Sequence, residues 1–550
     1  MQTAHGNLHL EIQTSRKSPV GILRTTFREN GKMRHTQHGR ITGCSLEQLK
    51  LLQLAFRERV VPVDDPQAFQ ILESREYGAS YAILSIAKQL GLDRVLYSRA
   101  EPWVQSALAM IVGRLVYAGS KLALCNHHPN TCLWALCGIA EPPAVDTHCY
   151  APMDQLLKRQ TAIQRQLTRR HLTGGHLVLY DITSVWFEGE YSDSELVTFG
   201  YNRDGKKGYE QIVVGLICTA QGCPVGVEVY AGNTKDETTV IDKVHEIKAD
   251  YGIEKVIFVG DRGMLTHSTI EALKDEQDLQ TISALTHGEM MTLLKHEVIA
   301  LDLFDERSIH EVTDPAEPTR RYCLCRNPQS AQREHKTRER LLQLTTDALA
   351  RIAAYQRAAT VETLGARVGK VLAKYKMGKF IRWSIDADPE RAKSRAHRLV
   401  WSIDADKVAR EQRFDGCYII TSDVEQDAMS ALEVVNAYKS LTFVERAFRN
   451  LKTVQLEIRP VYHKTDERIR SHVFLCMLAY YLQWHMEQRL APLFAADGQG
   501  PERRWTFRGV VDCLAQITRN RVTVNGAEFY QNSTPTPEQE EILGLLQVAM

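Results

Sequence analysis

The 550-residue chain is too long for a single hydrophobic core, so its length predicts two to four domains. Its composition, 44% hydrophobic and 25% charged, is typical of a globular protein in water. No segment approaches the 18 uninterrupted apolar residues that a membrane span needs. The N-terminus has no apolar signal-peptide segment, which predicts a cytoplasmic protein with reduced cysteines.

The net charge of +1 does not indicate a nucleic-acid-binding protein, but several local segments are basic. A basic face is what contact with DNA phosphates requires. A solvated helix face balanced by acidic residues elsewhere is the alternative for each segment. The basic segments are residues 158–171, 201–209, 333–340 and 439–452.

The first third of the chain predicts a β-hairpin followed by helices. Residues 21–43 contain two β-like runs around an Asn-Gly pair, which is a strong local hairpin signal. From about residue 46 to residue 172, apolar side chains recur with helical periodicity. The turn at Gly91 faintly resembles a helix-turn-helix. A helix end followed by a helix start is the alternative interpretation.

The segment LCNHHPNTCLWALC (124–137) brings cysteine and histidine close together, so a zinc site has to be considered. Its spacing lacks a C-x2-C pair, and two of its cysteines lie in an apolar helical run, so zinc is the weaker interpretation. The candidate ligands are Cys125, His127, His128, Cys132 and Cys137.

The middle of the chain predicts a sheet in the order β-β-β-α-β-α-β. Apolar, β-branched runs alternate there with two amphipathic segments. The predicted strands are 176–188, 208–220, 223–232, 255–263 and 279–286, and the predicted helices are 236–252 and 266–276.

Residues 287–414 interrupt this pattern and are interpreted as an insertion. The hexamer WSIDAD occurs in it at 383–388 and again at 401–406, which predicts two similar strands of a small β structure. Trp383 and Trp401 of these hexamers either pack within the protein or stack on an extruded base. After the insertion, the pattern predicts a strand at 414–423 and helices at 431–453 and 467–490.

Two of the apolar strands each carry an aspartate. Asp181 lies inside HLVLYDITS, and Asp261 ends KVIFVGD. A single aspartate of this kind usually faces water at a strand end. Two on neighbouring strands repel each other unless a divalent cation lies between them. Mg²⁺ prefers carboxylate oxygens, so the pair predicts a metal site.

The predicted helix at 431–453 supplies a third carboxylate. Tyr438, Glu445 and Lys452 are spaced by seven residues, nearly two helical turns, and therefore share one face. Leu441 and Arg449 fall on the same spacing pattern. Such a face suits a site that binds a phosphate while presenting a carboxylate to a metal. An ordinary surface face with ion pairs is the alternative.

The segments VLYDITS, VGDRGM and AYKSLTFVERAFRNLK, in this order, resemble bacterial insertion-sequence DDE transposases with an RNase H-like catalytic core. The resemblance is to the group with a Y-x2-R-x3-E-x6-K signature. Tyr438, Glu445 and Lys452 match this signature, whereas Leu441 stands at its arginine position. Lys439 or Arg449 is a possible substitute for that arginine.

The resemblance implies an α/β fold in which helices flank an RNase H-like mixed sheet, with a helical N-terminal region and a β-containing insertion. The expected regions are a DNA-end-binding region at 1–172 and a catalytic domain in two parts, 173–290 and 414–490. An insertion at 291–413 separates these parts, and a helical tail at 491–550 follows them.

The resemblance also implies an activity: the enzyme cuts DNA at the ends of its element and joins the 3′-hydroxyl ends to target DNA. Asp181, Asp261 and Glu445 are then the catalytic residues and bind two Mg²⁺ or Mn²⁺ ions. The expected DNA contacts are Tyr438, Lys439, Arg449 and Lys452.

The resemblance implies that the chain binds DNA and associates with further copies of itself. It also implies a location at the nucleoid. Two other functions stay open at this point. One is a metal-dependent nuclease without strand transfer, which would use the same three carboxylates. The other is an inactive, transposase-derived DNA-binding protein.

Overall fold

The computed structural model describes the chain apart from a set of short segments, and two predicted helices, 236–252 and 266–276, fall almost entirely in them. The residues outside the description are 1–6, 15–17, 30, 59–68, 173–176, 236–238, 241–255, 266–268, 271–278, 306–307, 355–359, 388–396, 455, 457, 459–460, 499–502 and 525–526.

The chain divides into two compact units. The first contains residues 1–78 and 516–535, and the second contains residues 79–515 and 536–550. Each unit therefore includes a segment from the C-terminal sixty residues, which the sequence predicted to be a helical tail.

Two small antiparallel sheets make up most of the first unit. In one, β2 (Val20–Glu29) pairs with β1 (Asn7–Gln13) and β3 (Lys32–Ile41), and helix α1 (Leu46–Glu58) packs on β1. The pairing of β2 with β3 confirms the predicted hairpin.

The second sheet of this unit corrects two predictions. It joins β4 (Phe69–Glu76) to β15 (Thr518–Val524) and β16 (Ala527–Asn532). Residues 46–172 are thus not helical throughout, and the C-terminal segment is helical only in part. The alternation of polar and β-branched residues in TRNRVTV favours a strand, and its partner β4 is more than 400 residues away in sequence.

Helices open the second unit, as predicted for residues up to 172. They are α2 (Gly78–Gln89), α3 (Leu92–Leu96), α4 (Pro102–Val116), α5 (Lys121–Asn126), α6 (Leu133–Leu136), α7 (Ala151–Lys158) and α8 (Gln160–His171). Gly91 adopts a left-handed conformation between α2 and α3, at a φ of 62°. Leu92, Val95 and Leu96 of α3 are buried, so one face of this five-residue helix packs into the core.

An eight-stranded mixed sheet is the centre of the second unit, and its strand order is β10-β11-β14-β9-β8-β5-β6-β7. Strands β5, β8 and β9 are parallel, and the other neighbours are antiparallel. The strands are β5 (Leu177–Trp186), β6 (Gln211–Thr219), β7 (Pro224–Ala231), β8 (Val256–Val259), β9 (Leu279–Ala284), β10 (His310–Asp314), β11 (Glu317–Arg326) and β14 (Cys417–Ser422).

The five strands predicted from the sequence are therefore confirmed, and they occupy adjacent positions in the order 5-4-1-2-3. This is the arrangement of an RNase H-like core, in which a three-stranded antiparallel meander is extended by two parallel strands.

Residues 291–413, predicted as an insertion, contribute to the central sheet as well as to a separate layer. Strands β10 and β11 extend the sheet because β11 pairs with β14. The rest comprises α10 (Pro328–Ala353), α11 (Val361–Tyr375), β12 (Ile381–Ala387), β13 (His397–Ile403) and α12 (Ala405–Gln412), and α9 (His287–Lys295) precedes it.

The prediction of two paired strands for the WSIDAD hexamers is confirmed in part: the first hexamer lies in β12 as far as Ala387, whereas the second leaves β13 after Ile403 and continues into α12. In the β12–β13 pair Trp383 lies directly opposite Trp401. Trp401 packs against the apolar core formed by α10, α11 and the β12–β13 pair, whereas Trp383 is 41% exposed. Packing therefore accounts for Trp401.

Helices complete the second unit after β14. They are α13 (Ala431–Lys439), α14 (Leu441–Arg449), α15 (Asp466–Arg489), α16 (Ala491–Ala496), α17 (Phe507–Ala515) and α18 (Pro537–Leu546). Helix α15 is buried on nearly all sides and packs on β7, α4 and α7. None of the helices in the described part of the chain has the length and apolarity to cross a bilayer.

Residues 431–453 were predicted as one helix, and this prediction was wrong at Ser440. The Ser440 N–H donates to the carbonyl oxygens of both Asn436 and Ala437, at 3.0 and 3.2 Å, and its hydroxyl donates to the Asn436 carbonyl at 2.9 Å. A serine hydroxyl that bonds back to the preceding turn bends a helix. The segment accordingly consists of α13, α14 and a π-helical turn, Asn450–Val454.

Candidate active site

Asp181 lies in the middle of β5, between antiparallel β6 and parallel β8. The residues on both sides of it along the strand are buried, and Asp181 itself is partly exposed. Its Oδ1 accepts a hydrogen bond of 2.8 Å from the backbone N–H of Ile182. One carboxylate is thus held within an otherwise apolar strand.

Asp261 lies at the same level of the sheet as Asp181. Leu179 of β5 is the register partner of Val259 of β8, and each aspartate follows its member of this pair by two residues. Neighbouring strands are about 4.8 Å apart, so the two backbones bring the carboxylates to one edge of the parallel pair. Asp261 is exposed, and its Oδ1 accepts hydrogen bonds from Arg262 N–H and the Tyr438 hydroxyl at 2.8 and 3.2 Å.

Glu445 is exposed on α14, which packs against β5. The buried residues of α14 are Leu441, Val444, Ala447 and Phe448, and Glu445 lies at the edge of the apolar face that they form. The spacing of these residues fixes the rotation of the helix about its own axis, so Glu445 stays on the accessible side. The three predicted carboxylates thus come from β5, from the residues after β8 and from α14.

The electrostatics of Asp181 show that the three carboxylates interact. Burial, together with the negative charges of Asp261 and Glu445, raises the pKa of Asp181 to about 7. The Ile182 N–H and the Arg203 guanidinium act in the opposite direction. A cluster of this kind stabilises a bound cation, because a positive charge offsets both the repulsion and the burial.

The model of the family described as "Transposase DDE domain" matches residues 177–482. The chain belongs to this family. It is a transposase, an enzyme that cleaves DNA and transfers the cut strand. The match runs from the first residue of β5 into α15, so it includes the sheet, the insertion and the helix that carries Glu445.

Among solved structures, the transposase is similar to a "Mos1 transposase paired-end complex with left transposon end". The identity is 13%, over 43% of this chain and 67% of that chain, with a TM-score of 0.14. A similarity this low adds nothing to the family assignment. No curated protein sequence matches the chain.

Transposases of this family generally use divalent metal ions, and the donor chemistry here fits such an ion. Three carboxylates supply the oxygen ligands that Mg²⁺ and Mn²⁺ prefer. Among the described residues, one group of three His, Cys, Asp or Glu side chains has its ligand atoms within 4.8 Å of one another. That group does not include Asp181, Asp261 or Glu445. The three carboxylates are thus spread more widely than a single ion would hold them.

A loop that sequence reasoning noted only as a basic segment, residues 201–209, lies beside these carboxylates. The Arg203 guanidinium donates to the Ser184 hydroxyl at 3.0 Å, and its charge lowers the pKa of Asp181. The Lys452 ammonium donates hydrogen bonds to both carboxylate oxygens of Asp204, at 2.8 and 2.9 Å. The basic composition of the loop was the only sequence signal for these two residues.

The predicted DNA-contacting residues are only partly on one face. Tyr438 is half-buried against Asp261, and its pKa is raised by burial and by that carboxylate. Lys439 and Arg449 are exposed, whereas Lys452 lies in the π-helical turn and is mostly buried with Asp204. The phosphate-binding arrangement expected from a single helix is therefore divided among α13, α14 and the turn that follows.

Leu441, at the arginine position of the signature, is only 8% exposed. It belongs to the buried face of α14, and Glu445, one turn further along the helix, is exposed at the edge of that face. Leucine therefore stands at a buried position of the helix that packs on β5.

The candidate zinc ligands at 124–137 do not form a cluster. They are absent from the ligand group found among the described residues. The Cys125 thiol instead lies 3.7 Å from that of Cys149, and the His127 ring stacks on Tyr117 at 4.7 Å. Cys132 and Cys137 are buried, so these side chains contribute to helix packing.

Metal-free wild-type protein should lose stability with rising pH because of Asp181. Its pKa in the folded chain, about 7, is above the value of about 4 in an unfolded chain. The folded state therefore binds the proton more tightly, and this stabilisation is complete below about pH 4 and is lost as pH rises through 7. Asp181→Asn should melt at a higher temperature than wild type at pH 8 but not at pH 4, in chelator.

Asp193→Asn, a change at an exposed aspartate, is the control and should follow wild type at both pH values. A melting-temperature difference between Asp181→Asn and wild type that does not change with pH would contradict the assigned environment of Asp181.

Replacing Leu441 by arginine should destabilise the fold instead of restoring a DNA contact. An unpaired charge in a buried position costs about 3–5 kcal/mol. Leu432→Arg is the matched control, because Leu432 is 59% exposed on α13 and surface changes usually cost within about 0.5 kcal/mol. Urea unfolding of both variants measures the difference, and equal stability of the two would place Leu441 on the surface.

Proposed function

We propose that this transposase serves a bacterial insertion sequence, cutting DNA at the ends of the element and joining the freed 3′-hydroxyl ends to target DNA. Asp181, Asp261 and Glu445 are the proposed catalytic residues, and they bind two Mg²⁺ or Mn²⁺ ions. The observation that supports this most strongly is the common register level of the two aspartates, together with the effect of Glu445 on the pKa of Asp181.

The proposed reaction is two successive displacements at phosphorus. Water attacks the phosphodiester at the element end, and the 3′-oxygen leaves as the free hydroxyl. That hydroxyl then attacks a target phosphodiester in line and displaces its 3′-oxygen. Bound divalent ions would lower the pKa of the attacking water or hydroxyl and offset charge on the entering and leaving oxygens.

The side chains around the carboxylates have distinct proposed tasks. The Tyr438 hydroxyl orients Asp261 through its hydrogen bond to Oδ1. Arg203 is close enough to act on the charge of Asp181 and is held by Ser184, so it is suited to contact a phosphate at the same edge. The exposed cations Lys439 and Arg449 extend this positive surface along α13 and α14.

We further propose that the N-terminal region contacts the element ends. Strand β3 has the sequence KMRHTQHGRI, and nearly all of its side chains are exposed. An exposed strand with three cations and two histidines is suited to bind a phosphate backbone. Self-association on paired DNA ends and a nucleoid location belong to the same proposal.

The test of the proposal uses linear DNA that carries the element's own ends, Mg²⁺ or Mn²⁺, and a separate target plasmid. Asp181→Asn, Asp261→Asn and Glu445→Gln should each lose cleavage and strand transfer by at least a thousandfold while end binding is retained, because each removes metal-binding charge with little change in shape. Ca²⁺ should support binding without cleavage.

Glu433→Gln is a suitable control, since Glu433 is an exposed carboxylate in the capping box of α13. Cleavage without joined products would favour a nuclease without strand transfer. Full cleavage by any one of the three variants would remove that residue from the catalytic set.

A second test concerns Lys452, which exchanges Asp204 for a DNA phosphate if it contacts the transferred end. Lys452→Ala should then weaken end binding and reduce the slope of log K against log salt by about one. Asp204→Asn should strengthen end binding, because it removes a competing carboxylate at 2.8 Å. If both variants only lower the melting temperature and leave the salt slope unchanged, the pair is structural.

A further inference from the structure

A second group of metal-ligating side chains lies outside the carboxylate site. His171 is the last residue of α8, Cys223 lies in the turn between β6 and β7, and His485 is on α15. One ligand atom from each lies within 4.8 Å of the other two. Three elements that are far apart in the sequence thus bring two imidazoles and a thiol to one point.

His485 has a buried nitrogen that lacks a partner. Its Nε2 is buried and makes no hydrogen bond within the described part of the chain. An unsatisfied buried polar atom is unfavourable, and a native structure normally provides a partner for it. The nearest candidates for a shared ligand are His171, whose ring centroid is 5.4 Å away, and Cys223.

The surroundings of the two histidines suit metal ligation, whereas burial raises the pKa of the Cys223 thiol, so that an ion has to displace its proton. Burial lowers the pKa of His171 to about 4 and that of His485 to about 3, so both rings are neutral near pH 7 with a lone pair available. The Tyr481 hydroxyl lies 2.9 Å from Nε2 of His171, the kind of contact that orients a ligating imidazole. Both histidines remain partly exposed, which leaves a route for an ion from solvent.

We propose that His171, Cys223 and His485 form a zinc site that is separate from the catalytic carboxylates. Two imidazole nitrogens and one thiolate are a donor set that favours Zn²⁺, whereas Mg²⁺ prefers oxygen. Ligand atoms in a tetrahedral zinc site are roughly 3.3–3.8 Å apart, so small side-chain rotations would close the present arrangement. Water completes the coordination, and binding releases the Cys223 proton to solvent.

Such a site would position the helix that carries Glu445. Next to Cys223, a Cβ on Gly222 would lie 2.7 Å from the Phe443 Cβ on α14, so the β6–β7 turn packs closely against that helix. Next to His485, the Trp484 indole donates to the Gln221 carbonyl of the same turn at 3.3 Å. Zinc would therefore fix α8, α15 and the turn that supports α14.

The experiment uses untagged full-length protein, freed of metal and titrated with Co²⁺ in excess Mg²⁺. Wild type and Asp181→Asn should each bind one Co²⁺ with a thiolate-to-cobalt charge-transfer band and the intense visible absorption of a tetrahedral site. Zn²⁺ should displace it stoichiometrically. Cys223→Ser should lose the charge-transfer band, and His485→Gln should weaken Co²⁺ binding at least tenfold, in agreement with the loss of one ligand.

Cys513→Ser is the cysteine control and should behave like wild type, and circular dichroism checks the fold of each variant. The absence of the charge-transfer band in wild type would overturn the proposal without reference to any variant. A charge-transfer band that persists in Cys223→Ser would also overturn the proposal. Loss of Zn²⁺ binding in Asp181→Asn would do the same. Because none of these readouts depends on DNA cleavage, failure here is distinguishable from failure of the proposed catalytic function.

Discussion

The concentration of negative charge around Asp181 is the constraint on which the active region depends. A carboxylate in an apolar strand is unfavourable, and two further carboxylates next to it make it more so, which is why the pKa of Asp181 is raised to about 7. A cation at the proposed site would reverse the sign of each of these interactions. The same arrangement that destabilises the metal-free chain makes it suited to bind metal and phosphate.

The scaffold has to hold these charges in place against their repulsion, and several contacts serve this purpose. The parallel register of β5 and β8 places the two aspartates side by side, and the Tyr438 hydroxyl restrains Asp261. The buried face of helix α14 is apolar, and its packing on the sheet keeps Glu445 on the accessible side. Behind α14, the β6–β7 turn and α15 provide the second layer of support, where the proposed zinc site lies.

Local patterns were sufficient to predict the five core strands, the hairpin and the strands that contain Trp383 and Trp401, because each depends on alternation, turn residues or repetition within a short window. They were not sufficient where distant segments decide the outcome. The pairing of β4 with β15, the addition of β10 and β11 to the central sheet, and the convergence of His171 with His485 have no signal in local spacing. The break in the helix at Ser440 has a local cause, its hydrogen bonds to the preceding turn. It was not predicted because the seven-residue spacing of Tyr438, Glu445 and Lys452 favours one continuous helix.

The most direct test of the central claim is the structure of crystals soaked in Mn²⁺, with anomalous diffraction used to locate the ions. We expect anomalous density at the carboxylates of Asp181, Asp261 and Glu445, from two ions about 4 Å apart. Crystals of Asp181→Asn treated in the same way should lose at least one ion. Saturating Mn²⁺ with no anomalous density at these three residues would contradict the claim that they form a metal-dependent catalytic centre.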